Sequence, residues 1–517
     1  DDNVSDDGFG NKTCTAISQE YAVIAGRAVM TRNISHSETD SLDESSTISD
    51  MTTVYEFDER GVLQSASGSG SSTTDDGFGS VSTSTMVQNY AILNGRAKLS
   101  ESVSEIHQTV STDATDTNTS SSLRYIYDEN GRLIDGQGTD TAQGTDAQGN
   151  QFTMTAAKEM FVLHGTLKQE SVVTDKTVTA RDGNWSKQIH DQWTMQGDGY
   201  DARGKLVSYE QVTHETGSGT LAGMDMTTTV TWQAEGFDER GWLRGYTQRV
   251  LAEGTDGVSR YTRDTTTKRR DIGYSLEPGT RGKVDSYVET IRTGDSGRIT
   301  TNIVKGIAYN EDGMRIADAT DAYVSTEGPV IVADEQTGEK KVANAIAEYR
   351  RETSDFVYDE YGLVLSYVET ISGDSKAPDK VSVAVIESVY DDLAFVTSSR
   401  CETVETGVSD DGNVLNRTSL IEKRNLEYNV LGHAISWEQV SIESGAADVE
   451  TVSTITAAYD EYGRVVSSHE AGVRVSGDQF YEEFSIDKTA VAYDGFGNMS
   501  SWNETSTSSV TGDKITN

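Results

Sequence analysis

The chain has 517 residues, of which only 35% are apolar, and it carries 43 basic against 84 acidic side chains, a formal charge of −41. Apolar content well below the 45–50% or so of ordinary globular chains leaves too little to fill several thick cores, and the residues must instead be spread along a regular sheet face. The acidic excess excludes non-specific binding to nucleic acid or anionic membranes, which needs a basic face, and no apolar run is long enough to insert across a bilayer.

Proline occurs three times, at Pro278, Pro329 and Pro378, where average usage of roughly 5% gives about 26. Few prolines predict a continuous hydrogen-bonded ladder with few linkers. The two cysteines, Cys14 and Cys401, belong to no metal-binding spacing. The chain opens on Asp-Asp-Asn without a signal peptide and reads as a piece of something larger.

Self-similarity is the dominant signal. An aromatic-Asp/Asn-x-x-Gly phrase recurs as Phe57 to Gly61, Tyr127 to Gly131, Tyr200 to Gly204, Phe237 to Gly241, Tyr309 to Gly313, Tyr358 to Gly362, Tyr428 to Gly432, Tyr459 to Gly463 and Tyr493 to Gly497. A second phrase alternates with the early copies: Tyr21 to Arg27, Tyr90 to Arg96 and Phe161 to Gly165. The turn glycines are therefore Gly26, Gly61, Gly95, Gly131, Gly165, Gly204, Gly241, Gly313, Gly362, Gly432, Gly463 and Gly497. Their early steps are 35, 34, 36, 34, 39 and 37, and the last two are 31 and 34. Steps of 72 and 70 each hide a degenerate copy, the second marked by Tyr390-Asp391-Asp392. The step of 49 breaks the rhythm and predicts an inserted loop near 325–345. A third phrase, at Asp6 to Asn11, Asp75 to Gly79 and Thr145 to Asn150, beats every 70 residues or so. The full repeat is two related hairpins.

Asn-Gly and Asp-x-x-Gly phrases supply the positive φ of tight hairpin turns. Their flanks alternate with period two: Val381, Val383 and Val385, or Thr451, Ser453, Ile455, Ala457 and Tyr459. The expected fold is all-β, tandem antiparallel hairpins of about 35 residues stacked into a continuous twisted rod, tube or shell. Roughly fourteen hairpins give about 28 strands, too many for one flat sheet. The array is expected to run over 1–517, with regular repeats in 1–150, divergent ones in 151–312, an irregular segment in 313–362 and regular repeats again in 363–517.

Several outgoing strands place an aromatic five residues after the glycine: Tyr209, Tyr367, Trp437 and Trp502. With a four-residue loop these share a face with the incoming Tyr127, Tyr200, Phe237, Tyr358, Tyr459 and Tyr493, and predict an aromatic ladder between hairpins.

Tyr127-Asp-Glu-Asn-Gly-Arg-Leu133, echoed by Tyr459 to Val465, resembles the YD repeat of RHS and teneurin-type proteins. That resemblance implies hairpins wound into a hollow shell, often around a toxin; the units here are longer, and no Pro-containing autocleavage motif is present. The alternation of Tyr-x-x-x-x-Gly-Arg-Ala with Tyr-Asp-x-x-Gly is also similar to repeat tracts in giant surface proteins of Omnitrophota-type bacteria.

Catalytic signals are absent from the sequence. Seven histidines (36, 107, 164, 190, 214, 433 and 469) show no ligand spacing, and Gly217-Ser218-Gly219 opens no predicted helix. No catalytic residue, organic cofactor or metal centre is expected. The candidates for Ca²⁺ are Asp6, Asp7, Asp75 and Asp76, whose hard oxygens suit the ion and whose positions Asx turns explain equally. Eight Asn-x-Ser/Thr sequons occur, starting at Asn3. The expected role is a non-catalytic structural or adhesive segment of a secreted or cell-surface fibre. It would self-associate into fibres or sheets through free strand edges and contact a surface glycan or protein. The alternatives are an RHS-like shell enclosing a cargo and a polysaccharide-acting β-solenoid enzyme.

Overall fold

The computed structural model describes residues 2–6, 12–41, 45–77, 79–110, 115–256, 260–277, 279–294, 299–310, 313–326, 328–333, 339–359, 362–375, 378–391, 395–408, 414–428, 434–444, 449–459, 464–476, 480–493, 499–509 and 514–516. Among them every regular element is a β-strand, and no helix is long and apolar enough to cross a membrane. The fold is a tandem series of antiparallel hairpins. It divides into two compact units, Asp1–Gly219 and Thr220–Asn517.

In the first unit each strand pairs with the next in chain order: Lys12–Ile24 with Arg27–Asp40, then Ser46–Phe57, Leu63–Asp75, Ser80–Leu93 and onward to Ser208–Gly219. Turns therefore fall alternately on two edges of the sheet. The glycine turns at 26, 61, 95, 131 and 165 lie on one edge, and the Asp76 and Asp146 loops on the other. The Asp75 and Thr145 copies of the third phrase thus mark the opposite edge, where they occupy every second connection; the connections between Asp40 and Ser46 and between Val110 and Asp116 lie on the same edge without it.

The composition suits this construction. Burial in Leu63–Asp75 alternates along the strand, with Ala66 and Gly68 buried between exposed serines. A Cβ on Gly68 or Gly70 would collide with Met51, and one on Gly136 with Leu167. These strands are narrow so that side chains from their neighbours can lie across them. Hydroxyl pairs stitch adjacent strands, for example Thr13 to Thr39 (3.0 Å), Thr47 to Thr74 (3.1 Å) and Ser186 to Ser218 (2.7 Å). Backbone ladders and such pairs, rather than a thick core, hold each hairpin to the next.

In the second unit the same ladder runs from Met224–Phe237 to Arg315–Ser325, then directly to Ala347–Tyr358 and on to Met499–Ser508. Between 325 and 347 the chain leaves the ladder and makes a small separate hairpin, Ile331–Ala333 with Lys340–Val342. This excursion packs Val342 onto Val288, Ile303 and Tyr323, with Ile331 and Ala345 beside them, forming a buried apolar cluster. Ion pairs from Glu339 to Lys305 (3.2 Å) and from Lys340 to Asp271 (2.7 Å) tie it down.

Candidate functional site: the turns and a tyrosine seam

Nine of the twelve turn glycines are described, and all nine have positive φ, between 72° and 83°. Gly432, Gly463 and Gly497 lie outside the described residues. The glycines serve two different turns. Ala25-Gly26, Asn94-Gly95 and His164-Gly165 are two-residue loops with positive φ at both positions, the I′ geometry that matches strand twist.

The aromatic-Asp phrase makes a longer loop, five residues rather than the expected four: Phe57 pairs with Leu63 across 58–62. Here the backbone N–H groups of Arg60 and Val62 donate to Asp58 Oδ1 (2.9 and 2.8 Å), and the Gly61 N–H donates to the Asp58 carbonyl (2.9 Å). The Val62 amide, helped by Arg60, holds the Asp58 carboxyl below the usual range. The same bonds recur at Asp128 and Asp201, and at Asn310 the side-chain oxygen accepts the Met314 N–H (2.8 Å).

The extra loop residue is offset by a bulge. In the Gly362 hairpin Tyr358 pairs with Val364 but Val357 with Ser366, so Tyr367 returns to the face of Tyr358. Tyr367 stacks on Phe356 (centroids 5.1 Å), which also lies against Tyr358 (6.1 Å). Tyr209 packs instead on Trp193 of the adjoining strand (5.6 Å), Trp437 lies under Lys423 (5.4 Å), and Trp502 under Lys488 (6.0 Å). These aromatics form local pairs and cation–π contacts in place of one ladder.

Beyond the backbone ladder, a tyrosine hydroxyl also joins hairpin to hairpin. Tyr127 donates to the Leu99 carbonyl (2.8 Å), Tyr200 to Gln169 (2.9 Å), Tyr274 to Leu243 (2.8 Å), Tyr309 to Val284 (2.8 Å), Tyr390 to Val364 (3.0 Å) and Tyr428 to Val396 (2.7 Å). Tyr358 donates likewise to Arg315. Each acceptor sits at the start of an outgoing strand in the hairpin before. The residue just before that strand often covers the ring: Trp242 on Tyr274 (5.1 Å), Lys283 over Tyr309 (5.2 Å) and Phe395 on Tyr428 (5.0 Å). Burial raises the hydroxyl pKa of Tyr127, Tyr200, Tyr274, Tyr309, Tyr358 and Tyr428. Phe57 and Phe237 have the ring without the latch; Tyr459 occupies its strand end, and Tyr493 ends Phe480–Tyr493. Tyr274 is the degenerate copy inside the step of 72, followed by a longer loop closed by Gly282.

Of the Ca²⁺ candidates, Asp75 Oδ1 accepts the Gly77 N–H (2.9 Å) and Asp76 Oδ1 accepts the Ser80 N–H (2.9 Å). Asp6 ends the strand Asp2–Asp6, and Asp7 lies outside the described residues. Oxygens already bound to loop amides favour the turn role. Removing the clamp by Asp128→Ala is therefore expected to cost about 1 kcal/mol, by analogy with the loss of a helix cap. The cost should be the same in EDTA and in millimolar Ca²⁺; a stability that depends on Ca²⁺ in the unaltered chain would reassign these loops to the ion.

No family model matches the chain, and no curated protein matches it. Among solved structures it is similar to one entitled "Crystal Structure of TcdB2-TccC3", at 8% identity and a TM-score of 0.13, over 98% of this chain and 45% of that one. The chain thus spans under half the length of that neighbour.

Proposed function

We propose that the chain is a non-catalytic structural segment of a secreted or cell-surface fibre, which carries load along stacked hairpins and offers its polar strand faces to a surface glycan or protein. The observation that supports this reading is the tyrosine seam: among the described residues a hydroxyl-to-carbonyl hydrogen bond recurs seven times and joins one hairpin to the next. A repeat that touches mainly its neighbours gains stiffness from each such joint. Pulling the chain from its ends in an atomic-force or optical-trap experiment should release it in regular steps. Each step frees about 35 residues, roughly 115–125 Å of contour at 3.3–3.6 Å per residue. One all-or-none rupture would count against a load-bearing stack of units, and antibodies that label the producing cells only after permeabilisation would end the surface assignment.

A further inference from the structure

The chain has seven histidines among 517 residues, and two of them face each other across one strand pair. His190 of Trp185–Met195 is the direct register partner of His214 of Ser208–Gly219. On its other side His190 is the register partner of Asp175 in Thr166–Thr179, and its Nδ1 lies 2.8 Å from Asp175 Oδ1. The row Asp175–His190–His214 crosses three adjacent strands of the first unit on one sheet face. It lines a concavity of about 420 Å³ together with Gln188, Thr155 and Thr216.

We propose that His190 and His214 form a binding site for a borderline transition-metal cation such as Zn²⁺, with Asp175 as the positioning residue. Direct cross-strand neighbours hold their Cβ atoms about 4.5–5.5 Å apart, close enough for two imidazoles to reach one ion at about 2.0–2.1 Å. With Nδ1–H donated to Asp175, the lone pair of His190 is on Nε2. A ligating imidazole whose other nitrogen is held by a carboxylate is the usual arrangement at metal sites. Among the described residues no three ligating side chains already stand around one point; rotation of His214 brings the second nitrogen to the ion, and water fills the remaining positions. The other histidines of this unit's strands lack the opposing ring. His36 has Asp50 and Ala16 as its register partners, and His107 has Asn118 and Thr83. Imidazole donors select Zn²⁺, Cu²⁺ or Ni²⁺ over Ca²⁺, so this site is chemically distinct from the aspartate loops and independent of the fibre reading.

The test is a calorimetric titration of ZnCl₂ into the full chain after EDTA treatment and desalting, with CoCl₂ absorbance as a spectroscopic readout. Saturable micromolar Zn²⁺ binding is expected. His190→Ala and His214→Ala should each weaken it at least tenfold, and His36→Ala should leave it unchanged. Asp175→Asn should weaken it about tenfold and shift the visible Co²⁺ bands, which a merely structural residue would not do. Circular dichroism identical to the parent certifies that each variant is folded. Absence of saturable binding below millimolar Zn²⁺, or affinity undiminished in His214→Ala, overturns the proposal.

Discussion

Replacing Tyr274, Tyr309 and Tyr358 together by Phe is expected to lower the stability of the second unit by about 2–4 kcal/mol, since each loses one hydrogen bond worth about 0.5–1.5 kcal/mol. The rings remain, so packing against Trp242 and Phe356 is kept and the measured loss belongs to the hydroxyls. The same variant should behave differently in alkali. Burial raises all three hydroxyls above the ordinary value of 10.0, so the folded state holds protons that the unfolded chain releases. The latch contribution is then complete below about pH 10 and is lost as pH rises through the higher folded values. Denaturant midpoints measured from pH 8 to pH 11 should fall steeply for the parent and more gently for the triple Phe variant. Equal slopes would mean that the hydroxyls do not couple the hairpins.

The glycine rhythm was legible because it rests on a local requirement. A residue at φ near +75° is strained unless it is glycine, so Gly26, Gly61, Gly95 and their counterparts show the turns directly. The interruption between Gly313 and Gly362 was legible for the same reason, as a lengthened step. Loop length was not, because it is set jointly by the Asp side chain and a compensating bulge. Asp271, Asp355, Asn425 and Ala490, each in a left-handed conformation three residues before an aromatic, belong to such bulges, and three different residue types at four positions leave no common signature. The seam was hidden more thoroughly. Its acceptors are backbone carbonyls at Leu99, Gln169, Leu243, Val284, Arg315, Val364 and Val396, which side-chain identity does not mark. Tyr274 was hidden because Ser275 stands where the phrase has Asp and the loop is longer. The pairing of His190 with His214 depends on the register fixed by residues 196–207, which no spacing rule supplies.

Val342→Asp is expected to detach the excursion between 325 and 347 while leaving the ladder beneath it paired. Val342 is 4% exposed and sits on Val288, Ile303 and Tyr323. Losing the buried valine forfeits about 1.5–3 kcal/mol, and a carboxylate left there unpaired costs several more. Burial and the carboxylates of Asp321, Glu348 and Glu339 already push the Tyr323 hydroxyl up to about 12 against the opposing pull of Arg350, so a further anion enters surroundings that already disfavour negative charge. The cheapest escape is for the small hairpin to lift away. Arg315–Ser325 pairs directly with Ala347–Tyr358 through seven register partners from Asp318–Thr353 to Val324–Ala347, none of which requires the excursion. Lifting also breaks the Lys340–Asp271 pair, freeing Lys340 and the neighbouring Lys341 for trypsin. Limited digestion should therefore cut the variant after Lys340 or Lys341 many times faster than the parent, with little change in the main unfolding transition. Cutting at the parent rate would show that the apolar cluster does not hold the excursion down. A collapse of the main transition would instead make the cluster part of the foundation of the ladder.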